Sequence, residues 1–297
     1  MSAVQVTYEE LVRLRAEAPR LRGERRGAGL RPGERPAATR GRGLEFEEAR
    51  PYQPGDDFRA IDWRVTARTG RPFTKRFREE RERTLHFVVG CGPAMAFGSR
   101  RVFKSVAAAR AAALLAWGAP ADAGIGGLFY GAGPRCVELA PRGGEVGVRR
   151  LLMGLARARP AAEDAPRAGA ATALALLRRR AAPGSRVYLI GDLADLDAAC
   201  EPHLAALGRR CALTAVHVHD PLERELPADG RYRFSDGAAT LTLETGGQAR
   251  RRAWREGYDT RIEALRARLV RYGAGLVLLA TDRPELEALR APEDRLG

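Results

Sequence analysis

The sequence predicts an α/β fold: a mostly parallel sheet covered by helices, with a small β-rich subdomain. Three observations carry that expectation. Short, largely apolar runs at residues 85–89 and 187–190 have the length and composition of strands buried on both faces. Between such runs lie helical stretches, for example residues 102–117, which Gly118 and Pro120 end. From Thr84 onward strand and helix alternate instead of forming separate blocks, the order of a sheet wound on both faces.

Residues 8–18 place Leu11, Leu14 and Ala18 at helical spacing on a charged background, and Pro19 stops the pattern. Residues 22–42 are rich in Gly, Pro and Arg, so they read as a linking loop. A strand at 73–77 with a charged extension to 83 belongs to the β-rich part, which a hairpin at 230–245, turning at Ser235-Asp236-Gly237, could complete. The sheet then takes strands at 85–89, 125–130, 136–139, 187–190, 212–218 and 275–281. Helices are expected at 102–117, 145–158, 171–180, 199–207 and 284–289. The expected organisation is an N-terminal helix and linker over 1–43, a segment of unusual chemistry over 44–83, and an α/β domain over 84–297 with a hairpin insertion at about 229–247.

Composition narrows the function classes. The 297 residues, 45% hydrophobic, are enough for real cores. No run approaches the roughly 20 apolar residues of a membrane span, because the best candidate, 106–119, is short and interrupted by Arg110. The N-terminal residues lack the apolar stretch of a secretory signal, so a cytoplasmic location is expected. Cys91, Cys136, Cys200 and Cys211 are scattered and read as buried free thiols. The net charge of +14 admits an anionic partner, but the basic residues are spread along the chain and interleaved with Glu. Base-stacking motifs are absent, so nucleic acid is not the expected partner.

The densest chemistry is the run Gly43-Leu44-Glu45-Phe46, Arg50-Pro51-Tyr52-Gln53-Pro54-Gly55-Asp56-Asp57, Arg59, Ile61-Asp62-Trp63 and Ala67-Arg68. A second patch is Asp220-Pro221-Leu222-Glu223 with Leu226-Pro227 and Gly230. In this order the two patches resemble domain-of-unknown-function family 58 (DUF58), and the resemblance covers most of the chain from Gly41 onward. It implies a von Willebrand factor A-like, Rossmann-like core, a protein-interaction role, and companionship with a MoxR-type AAA+ ATPase.

Physically, Pro54-Gly55 is turn chemistry and Asp56 or Asp57 could cap a helix near Phe58. Ile61 and Trp63 would supply apolar contact while Arg59, Asp62 and Arg68 form charge pairs. Arg50, Tyr52, Asp56, Asp57, Arg59, Asp62, Trp63 and Arg68 are therefore either a structural ion-pair module or a docking surface. Burial of Trp63 and Arg59 discriminates between the two.

The resemblance also implies where a cation would sit, since type A domains hold Mg²⁺ with an Asp-x-Ser-x-Ser loop plus a later Thr and Asp. Here Gly90, Gly92 and Ala94 occupy the loop positions, and only Thr172 and Asp192 match the later ones. Oxygen ligands are what a hard cation needs, so the site reads as degenerate, with no metal or other cofactor expected. No GxxxxGK[ST], GxSxG or HExxH pattern is present; His217 and His219 could with Asp220 bind a metal or move protons, but without further His or Cys nearby they read as strand-end packing, and His86 and His203 are isolated. A non-catalytic scaffold is the expected function. The rivals are an enzyme whose hallmark is a perturbed titratable group near Asp192 or His219, and a basic nucleic-acid or membrane-surface binder.

Overall fold

The computed structural model describes residues 3–21, 44–53, 61–79, 84–160, 165–228, 230–235 and 240–290. The chain forms two compact units, one made of residues 1–29 and 83–297 and the other of residues 30–82.

The larger unit is built on a six-stranded sheet. Its strands are β3 (Leu85–Gly90), β4 (Gly124–Tyr130), β5 (Val137–Gly143), β6 (Arg186–Gly191), β7 (Ala212–His219) and β10 (Gly275–Ala280). They lie in the order β10-β7-β6-β3-β4-β5, and only the β4–β5 pair is antiparallel. Counted within this sheet the order is 3-2-1-4-5-6, the doubly wound arrangement, which meets the von Willebrand factor A-like expectation. The strand at 85–89 is central, and all of β3 is buried.

Alternate strand residues feed two cores. Leu85, Phe87, Val89, Ile125, Tyr188, Ile190, Val216 and Leu279 join one cluster, with α1 (Tyr8–Arg13), α3 (Lys104–Trp117), α4 (Gly144–Arg157) and α9 (Glu285–Arg290) on that side. Val88, Leu128, Val187, Leu189, Leu213, Ala215 and Leu276 join the other, beneath α5 (Ala170–Arg180), α6 (Glu201–Gly208) and α8 (Gln248–Arg271). This split is the period-two side-chain alternation of strands covered on both faces.

The stretch that came nearest to a membrane span is α3, buried along almost its whole length because its alanines let neighbouring elements approach on every side. Arg110, in its middle, is paired with Glu10 of α1 at 2.5 Å, and Glu285 of α9 lies 3.7 Å away. No helix among the described residues is long and apolar enough to cross a membrane.

Two elements depart from the expectation. The helix expected over 8–18 ends at Arg13 and continues as a 3₁₀ turn over Leu14–Ala16. The 24-residue α8 was not anticipated at all. Its buried stripe is only Tyr258, Ile262, Leu265 and Leu269, set in a strongly polar sequence. The hairpin is present as β8 (Arg231–Ser235) and β9 (Thr240–Glu244), but it forms a two-stranded sheet of its own and does not complete another.

The smaller unit holds the antiparallel pair β1 (Leu44–Pro51) and β2 (Phe73–Glu79), with an irregularity between Phe46 and Glu48. The short helix α2 (Trp63–Thr69) precedes β2, and Ile61 bridges to Thr74. Gly70 closes α2 with φ 71°, the left-handed backbone that glycine adopts without steric cost.

Candidate functional site

Doubly wound sheets gather ligands beyond the carboxyl ends of their strands, where the strand order reverses. Here the reversal lies between β3 and β6. A buried polar network occupies that edge.

Its centre is Lys104, wholly buried on the first turn of α3. The ammonium donates to Asp192, just past β6, and to Glu223 Oε1 at 2.6 Å. Burial alone would pull the Lys104 pKa down, but the carboxylates of Asp192 and Glu223 outweigh it, and the pKa lies above the ordinary lysine value. The ammonium is therefore charged at every physiological pH.

Glu223 belongs to α7 (Pro221–Arg224) and serves two partners at once. Its Oε2 accepts from the Asp220 backbone N–H at 2.8 Å, while Asp220 Oδ1 accepts from Leu222 N–H at 3.0 Å. That is a capping box, which fixes both carboxylates on the turn following β7.

Asp220, fully buried, also accepts from the Ser99 N–H at 2.8 Å, the Ser99 hydroxyl, and the Thr281 hydroxyl at 2.5 Å. Burial raises its pKa, but these hydrogen bonds outweigh that effect and hold it below the usual aspartate value. The network thus ties together the segments following β3, β6, β7 and β10.

The first loop lacks oxygen ligands in space as well as in sequence. A side chain at Gly90 would meet the Tyr130 hydroxyl, 3.0 Å from its Cβ position. Tyr130 is buried and donates to Asp195 at 3.2 Å. Ala94 is exposed, Thr172 is exposed on the first turn of α5, and Asp192 is engaged by Lys104. These residues do not fit a divalent ion: Asp192, the one carboxylate among them, is held by an ammonium, and a side chain at position 90 would crowd Tyr130. No group of three or more His, Cys, Asp or Glu capable of holding a metal occurs among the described residues.

His217 and His219 stack with ring centroids 5.8 Å apart, and Tyr258 lies 5.7 Å from His219. Burial depresses both histidines to about 4, so both are neutral at pH 7. His219 lines a cleft of about 630 Å³ together with Tyr258, Arg224, Ile262 and Arg283. A perturbed group in a cleft meets the stated hallmark of the enzyme reading, but the main cause here is desolvation. The cysteines are free, and burial pushes Cys91 and Cys200 up to about 12, leaving them unreactive thiols.

The signature segment divides differently from the expectation. Asp56, Asp57 and Arg59 lie outside the described residues. Arg50 pairs in register with Thr74, and the backbone N–H of half-buried Tyr52 donates to Pro72 O at 2.9 Å. Asp62 caps α2, accepting from Arg64 N–H at 3.1 Å and Val65 N–H at 3.2 Å, while Arg59, one of its expected charge partners, lies outside the described residues. Ile61 is buried as expected, whereas Trp63 is 69% exposed. Arg68 is exposed in the last turn of α2. Asp62→Ala should therefore lower stability by about 1 kcal/mol, the usual cost of losing a cap, as read by urea denaturation. A loss of several kcal/mol would instead signal a buried ionic partner.

Sequence reasoning passes over Lys104, Ser99 and Thr281; it reaches Asp220 and Glu223 within the second patch, and Asp220 also as a metal or proton partner of His217 and His219. One signal was available: only two of the 51 basic residues, Lys75 and Lys104, are lysines. A lysine at the start of a helix also opposes the macrodipole unless carboxylates face it.

Among known proteins, the chain is 30% identical over 247 residues to the uncharacterized proteins Rv1480 of Mycobacterium tuberculosis and Mb1516 of Mycobacterium bovis, an alignment covering 82% of this chain and 76% of each of theirs. Similar solved structures include BatB from Bacteroides thetaiotaomicron, 14% identical, covering 70% of this chain and 94% of that one with a TM-score of 0.45. A von Willebrand factor type A structure from Catenulispora acidiphila is 11% identical and covers 73% of this chain and 42% of that one, with a TM-score of 0.41. Residues 48–268 match the family described as "Protein of unknown function DUF58", and the chain belongs to that family.

Proposed function

We propose that this chain is a non-catalytic protein-interaction scaffold that works with a MoxR-type AAA+ ATPase. The observation that carries the reading is Trp63. Within the family-signature segment it stands 69% exposed at the start of α2, and Arg64, Arg68 and Arg71 are exposed beside it. An exposed tryptophan set among arginines is the composition of an interface anchor, because both residue types contribute large contact area and directional bonding. The self-satisfied network at the carboxyl edge supports the non-catalytic part, since its acid, base and ammonium groups are bound to one another. A cytoplasmic location goes with that partner.

The test is calorimetric titration of the full chain with a MoxR-type ATPase encoded in the same genome. Trp63→Ala should weaken binding about 30-fold, the effect of losing an anchor worth roughly 2 kcal/mol, with the melting temperature unchanged. Added salt should weaken binding, because exposed arginines are screened over about 8 Å at physiological ionic strength. EDTA should leave it unaltered. Failure of the unaltered chain to bind removes the proposed partner, while equal binding by Trp63→Ala removes the proposed anchor.

A further inference from the structure

The deepest charge at the carboxyl edge of the sheet is a cation the chain supplies itself. Lys104 lies where the strand order reverses, beyond β3 and β6, and its Nζ is enclosed by Asp192 and Glu223. The Lys104 side chain is 1% exposed, against 21% for Asp192 and 30% for Glu223, so the carboxylates close over the ammonium from the solvent side. A side chain at position 90 would crowd the Tyr130 hydroxyl, 3.0 Å from its Cβ position. In a chain that otherwise writes its basic residues almost wholly as arginine, this position keeps the compact ammonium. A guanidinium is a larger, planar fork, whereas an ammonium is a point charge with three donors, closer in shape to a small metal ion.

We propose that Lys104 is the resident cation of this edge. Its ammonium replaces an exchangeable divalent ion and holds the turns after β6 and β7 against α3 permanently, without a ligand to gate them. The inference rests on these side chains alone and stands independently of the proposed partner.

Removing the ammonium should create the site it replaces. Without Lys104, Asp192 and Glu223 would present two carboxylates to a vacated space, which is the donor chemistry a hard cation takes. The probe is Mn²⁺, followed by electron paramagnetic resonance titration of the full chain. The unaltered protein should bind it no more tightly than millimolar. Lys104→Ala should gain a site at least tenfold tighter, and Lys104→Ala combined with Asp192→Asn should lose it again. Mn²⁺ binding by the unaltered chain as tight as by Lys104→Ala, or a folded Lys104→Ala that gains nothing, overturns the proposal.

Should Lys104→Ala not fold, thermal melting of two further variants decides. Lys104→Met leaves the carboxylates uncompensated, whereas Lys104→Met with Asp192→Asn and Glu223→Gln removes all three charges and keeps a residue able to cap α7. A triple variant that melts well above Lys104→Met supports the proposal. One that melts no higher overturns it.

Discussion

As pH falls from 6.5 toward 4, the protein should lose most of its stability, a loss that begins well above the range in which exposed carboxylates titrate. His86, His217 and His219 are each depressed by burial from 6.5 to about 4. The sign follows from proton binding: between those values the unfolded chain carries protons on these imidazoles that the folded chain refuses. Stability contributed by the three groups is therefore complete above about pH 6.5 and is lost as pH falls through about 4. A depression of this size corresponds to roughly 3 kcal/mol per buried imidazole, and less for the half-buried His219. Two or three such terms rival the whole stability of a domain, about 5–15 kcal/mol. Urea midpoints at pH 7.5, 5.5 and 4.5 should fall at both steps, and more steeply per pH unit over the second. His86→Leu, which removes one buried imidazole whose Nε2 has no hydrogen-bond partner among the described residues, should flatten the profile. A midpoint constant from pH 7.5 to 4.5 would show that these rings are solvated.

The sheet was legible because its strands are short, apolar on both faces and separated by helices with clear stops, so that period and composition agree. Where they disagree, the reading failed. In α8 a stripe of four buried residues, Tyr258, Ile262, Leu265 and Leu269, repeats at helical spacing inside a segment whose mean character is charged, and charge masked the period. Trp63 shows a related conflict between composition and position. Hydrophobicity indicates what tends to be buried, but an aromatic residue at the first position of a short helix has one face available, and here it turns to solvent. Lys104 was hidden because a lysine beside an apolar helix reads as a solvated terminus. Its meaning depends on carboxylates 88 and 119 residues away, and only the fold brings them to it.

The same long-range logic makes Asp220 the residue whose truncation should cost most. Asp220→Ala is expected to destabilise the protein by about 3–5 kcal/mol, the combined effect of losing charge-assisted hydrogen bonds and a helix cap. Ser99 and Thr281 donate to its carboxylate from segments 121 and 61 residues distant, and Thr281 is fully buried, so its hydroxyl would be stranded without water. Glu223 would lose the turn that aims it at Lys104, so the damage should spread from one cap to the ion pair. Asp220→Asn separates charge from shape. With the amide oxygen at the Oδ1 position it can still cap α7 and accept from the Ser99 hydroxyl, and the Thr281 hydroxyl can rotate to accept from the amide nitrogen at the Oδ2 position. The Ser99 backbone N–H cannot rotate, and it loses an anionic acceptor. An intermediate loss is therefore expected, and Ser99→Ala, at an exposed position, should cost only about 1 kcal/mol. Denaturant melts of the three variants should rank Asp220→Ala, Asp220→Asn, Ser99→Ala from most to least damaging. Asp220→Ala within 1 kcal/mol of the unaltered chain would mean that water replaces the carboxylate without cost, and the edge would then be held by packing alone. The ordering matters more than any single value, because only a buried anion serving several donors makes the neutral isostere worse than loss of one of those donors.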